Sequence, residues 1–229
     1  MKNTKKTLGA LVAVVLASVG VAQATPMTTD NLADLVANGG SLSIGDKTFS
    51  GFSFTDDGLT SFNASQITVT ASIIDGVYYL TWGGNMSLAG TSAGTADLLL
   101  GYTVTANPGT IVAIDQNYTG SATGGTLAVD ETVKTASGQV VGYSHLDPAN
   151  LSDTDPSQNP LLTINPPQSV LYVTKDIAFA LTSQDGGLIT ISQVEQSFHQ
   201  ATVPDGGTTA VLLGAALCGL ALLRRKLAA

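Results

Sequence analysis

The segment VLYVTKDIAFALTSQDGGLITISQVEQSF, residues 170–198, decides the fold class. Val170 to Leu181 and Leu188 to Phe198 are rich in Val, Ile, Thr and aromatic residues and alternate with period two, the pattern of half-buried strands. Gln184-Asp185-Gly186-Gly187 between them is a turn signal. Upstream the same reading gives strands at 42–44, 48–54, 67–73, 77–82, 97–105, 111–118, 126–135 and 139–143. Asp56-Asp57-Gly58, Asp75-Gly76, Gly83-Gly84-Asn85, Asn107-Pro108-Gly109, Gly124-Gly125 and Ser137-Gly138 punctuate them as turns. Short strands at such spacing predict an all-β body, an antiparallel β-sandwich or jelly roll. One short helix is expected near its start, capped by Thr28-Thr29-Asp30, with Leu32, Leu35 and Val36 on one face and Gly39-Gly40 closing it. Residues 144–169 carry five prolines and several Asp and Asn, so they read as one long surface loop.

The body is bounded by two ends of different character. Residues 1–24 have a basic start at Lys2, Lys5 and Lys6, an apolar run from Leu8 to Val21, and Ala22-Gln23-Ala24 as a small-x-small cleavage site. That order predicts a secretory signal peptide read by Sec-type export machinery and a mature chain starting at Thr25. At the other end, Val203-Pro204-Asp205-Gly206-Gly207 precedes an apolar run, 208–223, and then Arg224-Arg225-Lys226. At about 1.5 Å per residue the run reaches about 24 Å, short of a ~30 Å hydrocarbon core unless basic side chains snorkel or the bilayer thins. The basic residues past it set a cytoplasmic end, with the body outside. A single-span permanent anchor is the plainer reading of this end. Between the two ends, 25–202 forms one domain.

Pro204 blocks helix at the preceding residue, and Gly206-Gly207 leaves the backbone extended and accessible to a protease at the membrane surface. Motif, short span and basic stop together resemble the PEP-CTERM class of sorting signals, most closely the variant named for Val-Pro-Asp-Ser-Gly. This chain has Gly206 where that variant has Ser. The resemblance implies a bacterial protein, recognition by an exosortase-type membrane protease that carries its own catalytic Cys, and a destination in the cell envelope or an exopolysaccharide matrix. Cys218 lies inside the predicted span and reads as a packing residue. In the body, Gly45-Asp46-Lys47-Thr48-Phe49, Asp130-Glu131-Thr132 and Ser197-Phe198-His199-Gln200 are similar to the β-rich bodies of such proteins, which have no assigned activity.

The charge is concentrated at the ends. Between Thr25 and Val203 only Lys47, Lys134 and Lys175 oppose sixteen of the seventeen acids, a net charge of −13 against −8 for the whole chain. Such a surface repels phosphate backbones and excludes nucleic acid as a partner.

Chemistry-bearing residues are sparse. Ser144-His145-x-Asp147 has the residue types of a catalytic triad but no nucleophile elbow, and reads as a solvated loop. Asp130, Glu131 and Glu195 are the acids from which a glycosidase pair would be assembled; acids on the polar face of a sheet explain them equally. The expectation is therefore a non-enzyme with no required cofactor. Asp147, Asp153, Asp155 and Asn159 are candidate calcium ligands, against a solvated loop stiffened by Pro156 and lacking the Gly and distal Glu of an EF-hand. Tyr78 and Trp82 share one strand face and are the candidate saccharide platform, against ordinary core packing. The function expected is structural or adhesive in a polysaccharide matrix; the competing expectation is a carbohydrate-binding or carbohydrate-cleaving module.

Overall fold

The computed structural model describes residues 26–147 and 161–200, with Leu213, Gly214, Ala216 and Leu217. Twelve strands run through the described residues: β1 (Met27–Asn31), β2 (Leu42–Ile44), β3 (Lys47–Asp57), β4 (Thr68–Ile74), β5 (Val77–Gly90), β6 (Gly94–Ala106), β7 (Ile111–Thr123), β8 (Gly125–Thr135), β9 (Val140–Leu146), β10 (Leu162–Gln168), β11 (Val170–Leu181) and β12 (Gly187–Gln200). They form two six-stranded antiparallel sheets. Sheet A has the order β1-β4-β5-β12-β7-β10, and sheet B the order β2-β3-β6-β11-β8-β9. The body is thus the expected sandwich, with more strands than the eight of a jelly roll.

β11 occupies the predicted residues, because Leu171, Val173, Ile177, Phe179 and Leu181 alternate inward along it. It pairs with β6 on one side and β8 on the other. Across the interface β12 holds the matching place in sheet A, between β5 and β7. Aromatic rings join the sheets: Phe49 of β3 meets Phe198 of β12 at 5.2 Å, and Trp82 of β5 meets Tyr102 of β6 at 5.2 Å. The inward residues of both sheets form one continuous apolar cluster.

Four expectations are corrected. The helix α1 spans Leu32–Ala37 and its cap is Asn31, whose side chain accepts from the Asp34 backbone N–H at 2.8 Å. Thr28, Thr29 and Asp30 instead pair with β4, since a sheet register outweighs their capping tendency. Gly83-Gly84-Asn85 is a bulge inside β5 rather than a turn: Gly84 and Asn85 oppose the single residue Ser192. Gly84 has φ +151°, and a Cβ there would lie 2.7 Å from Ile67 Cδ1 and 2.9 Å from the Gln66 carbonyl, so glycine is required. Asp56 and Asp57 extend β3 and pair with Leu98 and Asp97. Finally, residues 144–169 are not one loop. Ser144 to Leu146 complete β9, and Leu162–Gln168 form the edge strand β10, whose pairing breaks between Thr163 and Gln168, where Pro166 and Pro167 withhold donors.

Candidate functional site

A groove of about 210 Å³ opens on the outer face of sheet A, lined by Tyr79, Asp115, Asn117, Glu195, Ser197 and His199, with Gln116 at its base. Register builds it from three strands. Ser197 of β12 lies opposite Tyr79 of β5 and Asp115 of β7, and Glu195 lies opposite Thr81 and Asn117. The two carboxylates are therefore diagonal neighbours, within reach of one another. Burial and the charge of Asp115 hold the Glu195 carboxyl above its usual range, against the opposing hydrogen bonds of Thr81 and Gln193. Burial and the charges of Glu195, Asp75 and Asp115 likewise raise the Tyr79 phenol. His199 Nε2 and Ser197 Oγ stand 3.1 Å apart. The groove thus offers a ring, two carboxylates, an amide, a hydroxyl and an imidazole, the inventory that reads sugar hydroxyls.

Other polar groups are engaged in structure. On the outer face of sheet B, Asp130 Oδ1 accepts from Tyr143 O–H at 2.5 Å and meets His145 Nδ1 at 2.7 Å. Burial pulls the Asp130 carboxyl up, but these two bonds outweigh it and set it below its ordinary value. Asp176 lies directly opposite Asp130, and burial together with the charges of Asp97 and Asp130 raises its carboxyl. Where β12 ends, Gln200 Nε2 donates to Asp46 Oδ1 at 2.8 Å. The same oxygen accepts from the buried Lys47 Nζ at 2.8 Å, and Nζ stands 4.2 Å over the Tyr78 ring. That cluster fastens the strand from which the C-terminal tail departs.

Between the sheets lies a polar knot absent from the sequence-based expectations. Lys175 of β11 is wholly buried, and its Nζ donates to Glu131 Oε2 of β8 at 2.6 Å, Gln196 Oε1 of β12 at 2.7 Å and Gln116 Oε1 of β7 at 2.9 Å. Burial lowers the Lys175 amine against the opposing pull of Glu131. Glu131 therefore belongs to the interior rather than to a polar outer face. Strand parity carried the signal: Lys175 shares its parity with Val173 and Ile177, and Glu131 shares its parity with Val129 and Val133.

The predicted ligand and metal residues fare differently. Trp82 and Tyr78 do share a face, but it is the inward one; Trp82 is 1 % exposed, so it presents no surface to a saccharide. Tyr78 is half-buried beneath Lys47. His145 lies on β9 rather than in a loop, with Nε2 at 3.9 Å from Asp147 Oδ2. Of the candidate calcium ligands only Asp147 falls within the described residues; Asp153, Asp155 and Asn159 lie outside them. Among the described residues, no group of three or more His, Cys, Asp or Glu side chains is placed to hold a metal. Ala22, Ala24, the motif Val203 to Gly207 and the basic residues Arg224, Arg225 and Lys226 also lie outside. Of the predicted span 208–223 only Leu213, Gly214, Ala216 and Leu217 are described, all four helical. Among the described residues no helix is long and apolar enough to cross a membrane.

Residues 202–227 fit the family model described as the VPDSG-CTERM motif. No curated protein and no solved structure matches the chain. The motif is a sorting signal and implies processing by an exosortase-type enzyme. The chain carries at residues 202–227 a VPDSG-CTERM sorting signal of the PEP-CTERM type, which supports an exported, envelope-associated protein with an all-β body.

Proposed function

We propose that the protein is a non-catalytic, adhesive or structural component of an extracellular polysaccharide matrix. Its signal peptide is removed after Ala24, its C-terminal segment spans the membrane transiently, and an exosortase-type protease releases or transfers the body. The observation that carries this reading is the sorting signal at 202–227, joined to a single acidic sandwich. The groove on sheet A replaces Trp82 as the saccharide contact. A groove of about 210 Å³ is smaller than the ~300 Å³ floor of drug-sized pockets and suits one ring of a longer chain. The acidity of the body favours neutral or cationic saccharides over anionic ones.

Retention of the full chain on polysaccharide extracted from its matrix tests the reading. Wild type is expected to bind, and Tyr79→Ala and Glu195→Gln to bind at least tenfold more weakly; equal retention of all three would refute the groove as the contact. One observation favours a second reading, glycoside cleavage: Glu195 is an acid raised by burial beside a second carboxylate, Asp115. Release of reducing ends by wild type, abolished in Glu195→Gln, would establish it in place of adhesion.

A further inference from the structure

The knot around Lys175 holds more than an ion pair. An ion pair placed inside an apolar core contributes less than well-packed apolar residues of similar volume. Here it sits among Val129, Val133, Val173, Ile177, Val194 and Phe198, all buried. Three oxygens satisfy the three N–H donors of the amine, yet Glu131 Oε1 is buried with no hydrogen-bond partner among the described residues. A buried amine hydrogen-bonded to both a carboxyl and a carboxamide also has the reactants of amide exchange beside it. We propose that Lys175 and Gln196 join through an intramolecular amide that links the two sheets, with Glu131 as the proton carrier.

The distances fit the step. Gln196 Oε1 lies 2.7 Å from Lys175 Nζ, the nearer of the two carboxamides. The carbonyl carbon is bonded to that oxygen, so the amine stands beside the group it would attack. Gln196 Nε2 donates to the Asp115 carbonyl at 2.8 Å, which turns the carbonyl end of the side chain toward the amine. Nζ first gives a proton to Glu131 Oε2. The neutral amine then attacks Gln196 Cδ, forming the new C–N bond. Glu131 protonates Nε2 and takes back a proton from the attacking nitrogen, the Cδ–Nε2 bond breaks, and ammonia leaves. Lysine ammonium, carboxylate and carboxamide become a secondary amide, a carboxylic acid and ammonia, so atoms and charge balance without an oxidant, a metal or a nucleotide. Gln116, paired with Gln196 across β7 and β12, also accepts from the amine through Oε1, its own Nε2 donating to Ser144 Oγ at 3.0 Å.

Such a bond would tie the central strands of the sandwich, β11 and β12, across the interface and stiffen a body that works outside the cell. It is independent of the saccharide reading. The test is peptide mapping by mass spectrometry of the purified full chain. Wild type is expected to give a branched peptide joining the segments around Lys175 and Gln196, lighter than their sum by one ammonia. Lys175→Met and Glu131→Gln are expected to give the two segments separately, at unreduced mass. Separate, unmodified segments in wild type overturn the proposal, and that digest decides it even where a variant fails to fold. An ammonia deficit that survives Lys175→Met overturns it too, because ring closure elsewhere then accounts for the loss. A branched peptide containing Gln116 overturns Gln196 as the acyl donor.

Discussion

Replacement of Trp82 by Ala separates core packing from ligand contact. Trp82 is the single tryptophan, is 1 % exposed, and packs on Tyr102 of the opposite sheet with ring centroids 5.2 Å apart. Removing a buried ring of this size costs about 3–5 kcal/mol, of which the aromatic pairing supplies about 0.5–1.5. In a domain of this length each kcal/mol moves Tm by about 2–4 °C, so a fall of about 6–20 °C is expected. The loss is a large share of a total stability of about 5–15 kcal/mol. Thermal unfolding followed by circular dichroism measures it, since the variant has no tryptophan to report. In wild type the same residue is a natural probe: its emission is expected to be blue-shifted and poorly quenched by acrylamide. A Tm within about 2 °C of wild type, together with loss of polysaccharide retention, would refute the placement of Trp82 in the core.

Two further perturbations follow from local geometry. Gly84→Val forces a side chain into the Ile67 contact at φ +151° and is expected to cost at least ~1–3 kcal/mol. Gly94→Ala, whose Cβ would meet nothing within 4 Å, is the control expected to be near neutral in the same urea titration. The Asp130 carboxyl lies below its unfolded value of about 3.9, so its contribution is present above that pH and is lost as pH falls through the lower folded value. Unfolding profiles of wild type should therefore show extra acid destabilisation below about pH 4 that Asp130→Asn lacks; superimposable profiles would contradict the Tyr143 and His145 contacts.

The fold was legible wherever strand periodicity was uninterrupted. β11 keeps one inward parity from Leu171 to Leu181, apolar at every position but Lys175, and its bounds follow directly. β10 was hidden because Pro166 and Pro167 mark loops in most contexts; only the position of the strand at the sheet edge makes them tolerable. The bulge at Gly84 looked like a turn because both features use the same residue type. The site divides in the same way. Lys175 and Glu131 were inferable as inward from the parity of their neighbours, at the price of accepting charge in a core. The groove was not. Asp115 and Glu195 are separated by four intervening strands in the chain, and only the pairing register of β7 with β12 sets them together. Trp82 misled as a surface platform because aromatic residues serve both cores and saccharide sites, and sequence alternation names a shared face without saying which way it points.

The sorting claim rests on the most specific signal in the chain, the match at 202–227. Mass spectrometry of the C-terminus of the protein recovered from a host with an exosortase tests it most directly. The mature chain is expected to end at or near the Val203 to Gly207 motif and to lack Arg224, Arg225 and Lys226. A mature chain that still ends at Ala229 would contradict it and leave a permanent membrane anchor in its place.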